Sequence, residues 1–477
     1  MDHSEKIVKS GSSILQKALI ALERNICDHC LGRLFARSGF GLSNDERGKA
    51  IRIMLALSSE NLGESSQKCH ESFLDRLPVH HTIKSSARED KRSRYTDENG
   101  WVVEPTPSFM GHLVEDNGDD KCWLCHDIFE DTDELVRLIL DKVDLQEFRT
   151  FQLGSKMDPS TLERERSLWE RVEPDNAEPL KEELNREVGK ALAPKIPERS
   201  FERDHPDVTF ILDPLFKTVD VKKNPLFIHG RYEKMVRGIP QTRWICKSCR
   251  GKGCSRCNGK GRMYETSVEE EIGEPLCAFF KGLNYKLHGK GREDVDVRCI
   301  GRGRPFIMEI SEPVKRFRDL YEVEKKINEE GSGKVKVHDL RWSSRKDIPT
   351  IKRGDTLKRY SAVVSLPEGL DEEKLKYKAS LLGQRSISQR TPRRVSHRRA
   401  DLVRDRKVHE ISVEILERER ARIDLLTEGG LYIKELLHGD EGRTDPSLSS
   451  LIEGEVIVET LDVIDVMDEE DRIGKQG

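Results

Sequence analysis

The sequence predicts an α+β protein of several domains, and three observations carry that expectation. The chain has 477 residues, room for about three domains of ordinary size. Segments with apolar residues three or four apart, the period of a helix face, are interspersed with short β-branched and aromatic runs that read as strands. From residue 266 onward such strands come in runs with helices between them, the pattern of a sheet flanked by helices.

Composition narrows the function classes. Charged residues make up 36% of the chain and hydrophobic ones 35%, and no run of 18 apolar residues exists to cross a bilayer, so no membrane partner is expected. The first thirty residues lack the charged-then-apolar layout of a secretory leader, which makes a cytoplasmic location the expectation. There cysteines stay reduced, and paired CxxC units read as metal sites before disulfides. With 83 Lys+Arg against 87 Asp+Glu the formal charge is −4, so any nucleic-acid binding must come from local patches.

In chain order, residues 5–24 form an amphipathic pattern through Ile7, Ile14, Leu15, Ala18, Leu19 and Leu22. A second helix is expected over 45–57. Residues 58–105 are polar and poor in large aliphatics and read as a surface insertion. A helix follows near 132–143 and a strand at 146–153. A charged helical stretch over 160–192 is broken near Pro174 and Pro179, with Leu180, Leu184, Val188 and Leu192 stacked four apart. Val208–Leu212, Thr218–Val221 and Pro225–His229 read as short extended segments. A boundary falls at 236–243, where a Cys-rich module begins. Ser267 opens a helix reaching about 283, and strands are expected at 294–300, 305–310, 360–365, 408–415, 421–426 and 455–466.

Two sets of four cysteines have metal-ligand spacing. Cys246, Cys249, Cys254 and Cys257 place four thiols within twelve residues, and two CxxC turns can complete a tetrahedron around zinc. Each pair runs into a Gly-Lys-Gly sequence that allows tight turns and close approach of backbone N–H groups to thiolates. Between Arg243 and Arg262 lie seven Lys/Arg and no Asp/Glu, so the zinc-loaded module keeps a charge of about +5. It reads either as a structural staple alone or as a staple that also presents cations to phosphates. The units are similar to the zinc repeats of DnaJ-type chaperones. Cys27, Cys30, Cys122 and Cys125 form the second set, brought together only by folding, with His29 and His126 beside them as alternative ligands. Cys69, Cys277 and Cys299 read as unpaired thiols.

The segment 287–306 (LHGKGREDVDVRCIGRGRPF) sets Glu293, Asp294 and Asp296 among Lys290, Arg292, Arg298, Arg302 and Arg304. On a strand Asp294 and Asp296 share a face and Glu293 points away. A carboxylate ringed by guanidinium groups stays ionised, as a nucleophile requires, although a solvated loop of ion pairs has the same composition.

GREDVDVR resembles the catalytic Arg-x-Asp motif of pseudouridine synthases. Together with GRGRPF it is similar to the archaeal and eukaryotic type that modifies positions 54 and 55 of the tRNA TΨC loop. Lys358–Val363 (KRYSAV), Gln389–Arg399 (QRTPRRVSHRR) and Gly429–Pro446 (GGLYIKELLHGDEGRTDP) match further motifs of that family in order, and Asp207–Tyr232 resembles the end of a THUMP-containing RNA-binding domain. The resemblance implies a catalytic domain over 266–477 with a mixed, mainly antiparallel sheet. It further implies the four-cysteine zinc module at 236–265, a THUMP-like domain at 131–235, and an α/β zinc-binding part at 1–57 and 106–130.

The chemistry so implied breaks the C1′–N1 bond of a flipped uridine and rejoins the base through C5, without redox or nucleotide cofactor. Asp294 maps to the catalytic carboxylate and Asp296 to a partner. Tyr360 maps to the tyrosine that stacks on the base, and Lys434 to the basic residue paired with the catalytic carboxylate. Arg292 would join that pair or support the flipped nucleotide. Tyr432, Arg390, Arg393, Arg394, Arg398 and Arg399 map to substrate-binding positions. The stretch 390–407 has eight Lys/Arg against two Asp, a cationic surface for tRNA, whereas 453–471 has nine Asp/Glu and no Lys/Arg. A monomer is expected. The competing reading is a non-catalytic zinc-dependent module that binds RNA or protein. A THUMP-linked methyltransferase or thiolase would need a nucleotide loop, and Gly301-Arg-Gly303 runs into Arg-Pro-Phe, which opens no helix.

Overall fold

The computed structural model describes residues 13–39, 41–58, 121–353, 356–397 and 399–467. Most of the polar insertion, Cys69, Arg398, the start of the first helix and the end of the acidic tail lie outside these residues. Two compact units divide the chain: Met1–Leu145 with Arg149–Lys222, and Gln146–Phe148 with Lys223–Gly477.

In the first unit, helices at 13–21, Asn44–Ser58, Thr132–Val143, Pro159–Val172 and Leu180–Leu192 accompany a four-stranded sheet. The expected row Leu180, Leu184, Val188 and Leu192 is fully buried, which is what a four-residue repeat on a helix face produces. The break in the charged helical stretch comes at Glu173, left-handed at φ +47°, and the next helix starts after Pro179. The sheet has the order β2 (Ser200–Phe201), β1 (Thr150–Ser155), β3 (Val208–Asp213), β4 (Thr218–Lys223), with β1 parallel to both neighbours. Strand β1 begins four residues later than expected, because 146–148 belong to the other unit.

The second unit is built on a ten-stranded sheet. Its order is β13 (Thr444–Asp445), β10 (Ser386–Arg390), β11 (Val403–Glu417), β12 (Arg420–Thr427), β9 (Lys358–Ser365), β14 (Ile457–Val466), β7 (Arg298–Ser311), β5 (Leu226–Lys234), β8 (Val335–Ser343), with β6 (Asn284–Gly289) also on β7. The β14–β7 pairing is parallel and the other recorded pairings are antiparallel. The two largest of the cores among the described residues lie against this sheet. One packs Val268, Ile272, Leu276 and Phe280 of the helix Val268–Phe280 on β5, β7 and β8. The other packs Leu375, Ala379 and Leu382 of Glu372–Gln384 on β9, β12 and β14. Ser267 caps the first of these helices through the amide of Glu270, as expected, and the helix ends at Phe280 rather than 283.

Three expectations are corrected here. Strands 294–300 and 305–310 are one strand, β7, preceded by a turn through 294–297. Gly301 and Gly303 sit inside that strand at φ +73° and +68°, where a Cβ would strike Ile464 O at 2.4 Å and Tyr232 O at 2.7 Å. Across them β7 passes from pairing with β14 at Arg298–Cys299 to pairing with β6 at Phe306–Ser311, while β5 runs along its other edge. The boundary expected at 235/236 falls at 222/223, since β5 pairs with β7 and β8. Strands β6, β8 and β10 and the helix Leu320–Glu330 were not anticipated.

Candidate active site and cysteine centres

The segment Lys290–Val297 is a loop between β6 and β7, irregular at 292–294 and with a turn at 295–296. Asp294 and Asp296 therefore do not share a strand face, and Glu293 is the carboxylate turned into the protein. Glu293 is buried, 2.8 Å from Arg304 Nε and 2.9 Å from the Tyr232 hydroxyl. Gln241 Nε2 donates to that hydroxyl and to Gly291 O. Burial opposes the charge of Arg304, but the Glu293 carboxylate beside it holds its pKa above the ordinary value. Lys234, from β5, donates to both Asp294 O and Val295 O at 3.0 Å. Buried polar groups thus hold the loop backbone from beneath.

The side chain of Asp294, about one-third exposed, stands above this base. Its Oδ2 accepts from Arg394 Nη1 at 2.6 Å, and the same guanidinium contacts the buried Glu435 through Nε at 2.5 Å and lies over the Tyr432 ring. Burial works against the Arg394 charge, and Glu435 and Asp294 outweigh it, raising the pKa. Lys434 reaches Asp296 instead, at 2.6 Å. Burial resists ionisation of Asp296, but the Lys434 ammonium prevails and its pKa is lowered. The expected pairing of Lys434 with Asp294 is therefore replaced by Arg394 with Asp294.

Tyr360 lies on the buried face of β9, between Leu425 of β12 and Val463 of β14. Burial chiefly, with a contribution from the Asp294 charge, pushes its hydroxyl up to about 12. Tyr432 precedes the helix Ile433–His438, its backbone bonded both ways to the buried Gln389 side chain. Arg292 lies over Trp244, 5.3 Å from the ring, at the edge of the Cys-rich module. In the basic stretch, Arg390 pairs with Asp401 at 2.6 Å and Arg393 with Glu441, while Arg399 is exposed. The count of eight cations overstates the charge this segment shows to solvent, because acids from elsewhere in the fold answer part of it. The loop and Tyr360 were singled out by motifs. Glu293, Tyr232, Lys234, Arg304 and Glu435 were not singled out as candidates, and only their proximity in space brings them to the loop.

Both cysteine sets assemble. The four Sγ atoms of Cys27, Cys30, Cys122 and Cys125, and those of Cys246, Cys249, Cys254 and Cys257, lie within 4.8 Å of one another in each set. Sulfurs 3.6–3.8 Å apart match the edge of a tetrahedron with Zn–S bonds of about 2.3 Å. Amides of Gly253 and Gly261 donate to Cys249 Sγ and Cys257 Sγ at 3.2 Å, as the Gly-Lys-Gly pattern suggested. At φ +90° and +69°, a Cβ on either glycine would strike a facing carbonyl at 2.5 or 2.3 Å. Of the alternative ligands, His29 stacks on Phe129 and bonds Glu183, and His126 is exposed.

A family profile described as "Pus10, C-terminal" matches residues 227–467, and one described as "Pus10 THUMP domain, archaeal" matches 135–213. The chain belongs to the Pus10 family. A relative from Methanopyrus kandleri, named tRNA pseudouridine synthase Pus10, is 38% identical over 94% of this chain and 97% of its own. Relatives of the same name from Methanothrix thermoacetophila and Methanothermobacter marburgensis are 37% and 43% identical, over 92% and 72% of this chain and 91% and 86% of theirs. A solved Cbf5-Nop10-Gar1 complex aligns with 42% of this chain and 50% of the matched chain at 15% identity and a TM-score of 0.27, too slight a likeness to argue from. The Pus10 C-terminal match begins inside β5, which agrees with the boundary seen in the fold.

Proposed function

We propose that this chain converts uridine to pseudouridine at position 54, 55 or both in the TΨC loop of tRNA, with Asp294 as the group that acts on the ribose. The observation that carries the reading is the setting of Asp294: a partly exposed carboxylate on a backbone held by Lys234 and paired with Arg394. Such a carboxylate is held in place by its partners, which suits attack at C1′, stabilisation of positive charge there or removal of a sugar proton. Tyr360 offers a ring for the extruded base, and Tyr432 walls the other side of the Arg394 guanidinium. Lys434 and Asp296 strap the helix Ile433–His438 to the loop.

Arg390, Arg393, Arg398 and Arg399 bind the tRNA backbone. Exposed ion pairs such as Arg390–Asp401 contribute little, so phosphates displace them readily. Each set of four cysteines holds a structural zinc, and the chemistry itself uses no cofactor. The protein works as a cytoplasmic monomer.

The test is to incubate pure protein with an unmodified tRNA transcript and map modified uridines. Pseudouridine is expected at 54 or 55 with wild type and none with Asp294→Asn, while tRNA binding persists. Activity in that variant rejects Asp294, and no product with wild type rejects the assignment.

A further inference from the structure

We infer that Lys358 is a further catalytic residue: its ammonium group donates to a carbonyl oxygen of the target uracil and holds the negative charge the base carries once the C1′–N1 bond has broken. The inference rests on the reading of the Asp294 site given above.

Lys358 opens β9 and shares its inward face with Tyr360 two residues on, one strand repeat away. The residue is only 9% exposed. Its Nζ nevertheless meets no hydrogen-bond acceptor among the described residues, and no carboxylate pairs with it. It lies against the base of the catalytic loop, so close that a Cβ on Gly291 would come within 2.9 Å of Nζ and 3.1 Å of Arg304 Nη1.

The charges facing it are one-sided. Arg304 and the thiol of Cys299 approach from β7, and Lys290 and Glu293 from the loop; the register partners on β12 and β14 are Thr427 and Val466, which are uncharged. Glu293 is the one carboxylate of this group, and Arg304 and Tyr232 already engage it. Burial, then Arg304, lower the Lys358 pKa to about 8, with Lys290 adding to them and Cys299 and Glu293 opposing. An ammonium held among other cations without a carboxylate partner is costly. An arriving anion repays that cost, which makes the contribution specific to the charged state of the reaction.

The reaction supplies such an anion. When the glycosidic bond breaks, its electron pair leaves with N1 and the base becomes a monoanion delocalised onto O2 and O4, while Asp294 answers the sugar. The pair returns through C5 as the C5–C1′ bond forms. C5 then loses its proton and N1 gains one, so the net change is an isomerisation. Lys358 remains an ammonium throughout and gives up no proton.

The test is pseudouridine formation at sub-saturating unmodified tRNA across pH 6–10, which reports groups of the free enzyme. Wild type should show a rate falling on the alkaline side with a midpoint near 8. Lys358→Met should lose about 100-fold in rate, lack that fall and bind tRNA as wild type does. Lys358→Arg should recover much of the rate and shift the fall beyond the range, because a guanidinium stays charged there. Wild-type rates in Lys358→Met, or the same alkaline fall in either variant, overturn the inference while leaving Asp294 in place. If Lys358→Met does not fold, wild type against Lys358→Arg decides: a shifted fall supports the inference and an unshifted one overturns it. A wild type that forms no pseudouridine overturns the inference and the underlying reading together.

Discussion

Three carboxylates within four residues serve three purposes, and their partners distinguish them. Glu293 is locked under the loop by Arg304 and Tyr232, Asp294 faces outward with Arg394, and Asp296 reaches Lys434 at the surface. Arg394→Met should therefore cost about 100-fold in pseudouridine formation, by loss of a charge-assisted bond at the reacting group. Lys434→Met breaks only a pair whose acid is two-thirds exposed, and should cost less than about 10-fold. Single-turnover rates of the two variants on one transcript check the order. The motif singled out Asp294 as the candidate acid, but not its counter-ion. Arg394 and Lys434 are 100 and 138 residues away from their acids, and sequence spacing carries no register over such distances. Glu293 was read as pointing away because a strand was assumed where the chain makes a turn.

Among the elements, the Cys-rich module was the most legible, because its four ligands and two glycine turns are local in sequence. Loaded protein should contain two zinc ions per chain by elemental analysis. Cys257→Ser should leave one, and Gly261→Ala should also leave one by displacing the amide that supports Cys257. Two zincs retained in Gly261→Ala would show that this turn tolerates a side chain. The helix rows and the cap at Ser267 were readable for the same local reason. Strands β6, β8 and β10 were not, since Asn284–Gly289 and Val335–Ser343 carry many polar residues and become strands through pairing with β7 and β5.

For the molecule as a whole, the difference between the expected and observed boundary has a measurable consequence. Strand β5 brings Ile228 and Tyr232 into the core of the second unit, and Lys234 to the loop that carries Asp294. A fragment of residues 223–477 should melt in a single cooperative transition, whereas 236–477, which lacks a central strand, should not. Thermal unfolding followed by circular dichroism separates the two, and cooperative melting of the shorter fragment would contradict the role given to β5. The sequence was misleading here because the run from 207 to 232 reads as one string of short strands. The change of sheet between β4 and β5 takes only Asn224 and Pro225.

Arg394 has two anchors, and Glu435 is the inner one. An acid that bonds to a sugar or accepts its proton becomes neutral for part of each cycle, and a cation held by that acid alone would then swing free. Here the guanidinium is also moored to the helix behind it, so on the proposed role of Asp294 the acid would regain its charge beside a partner that never left.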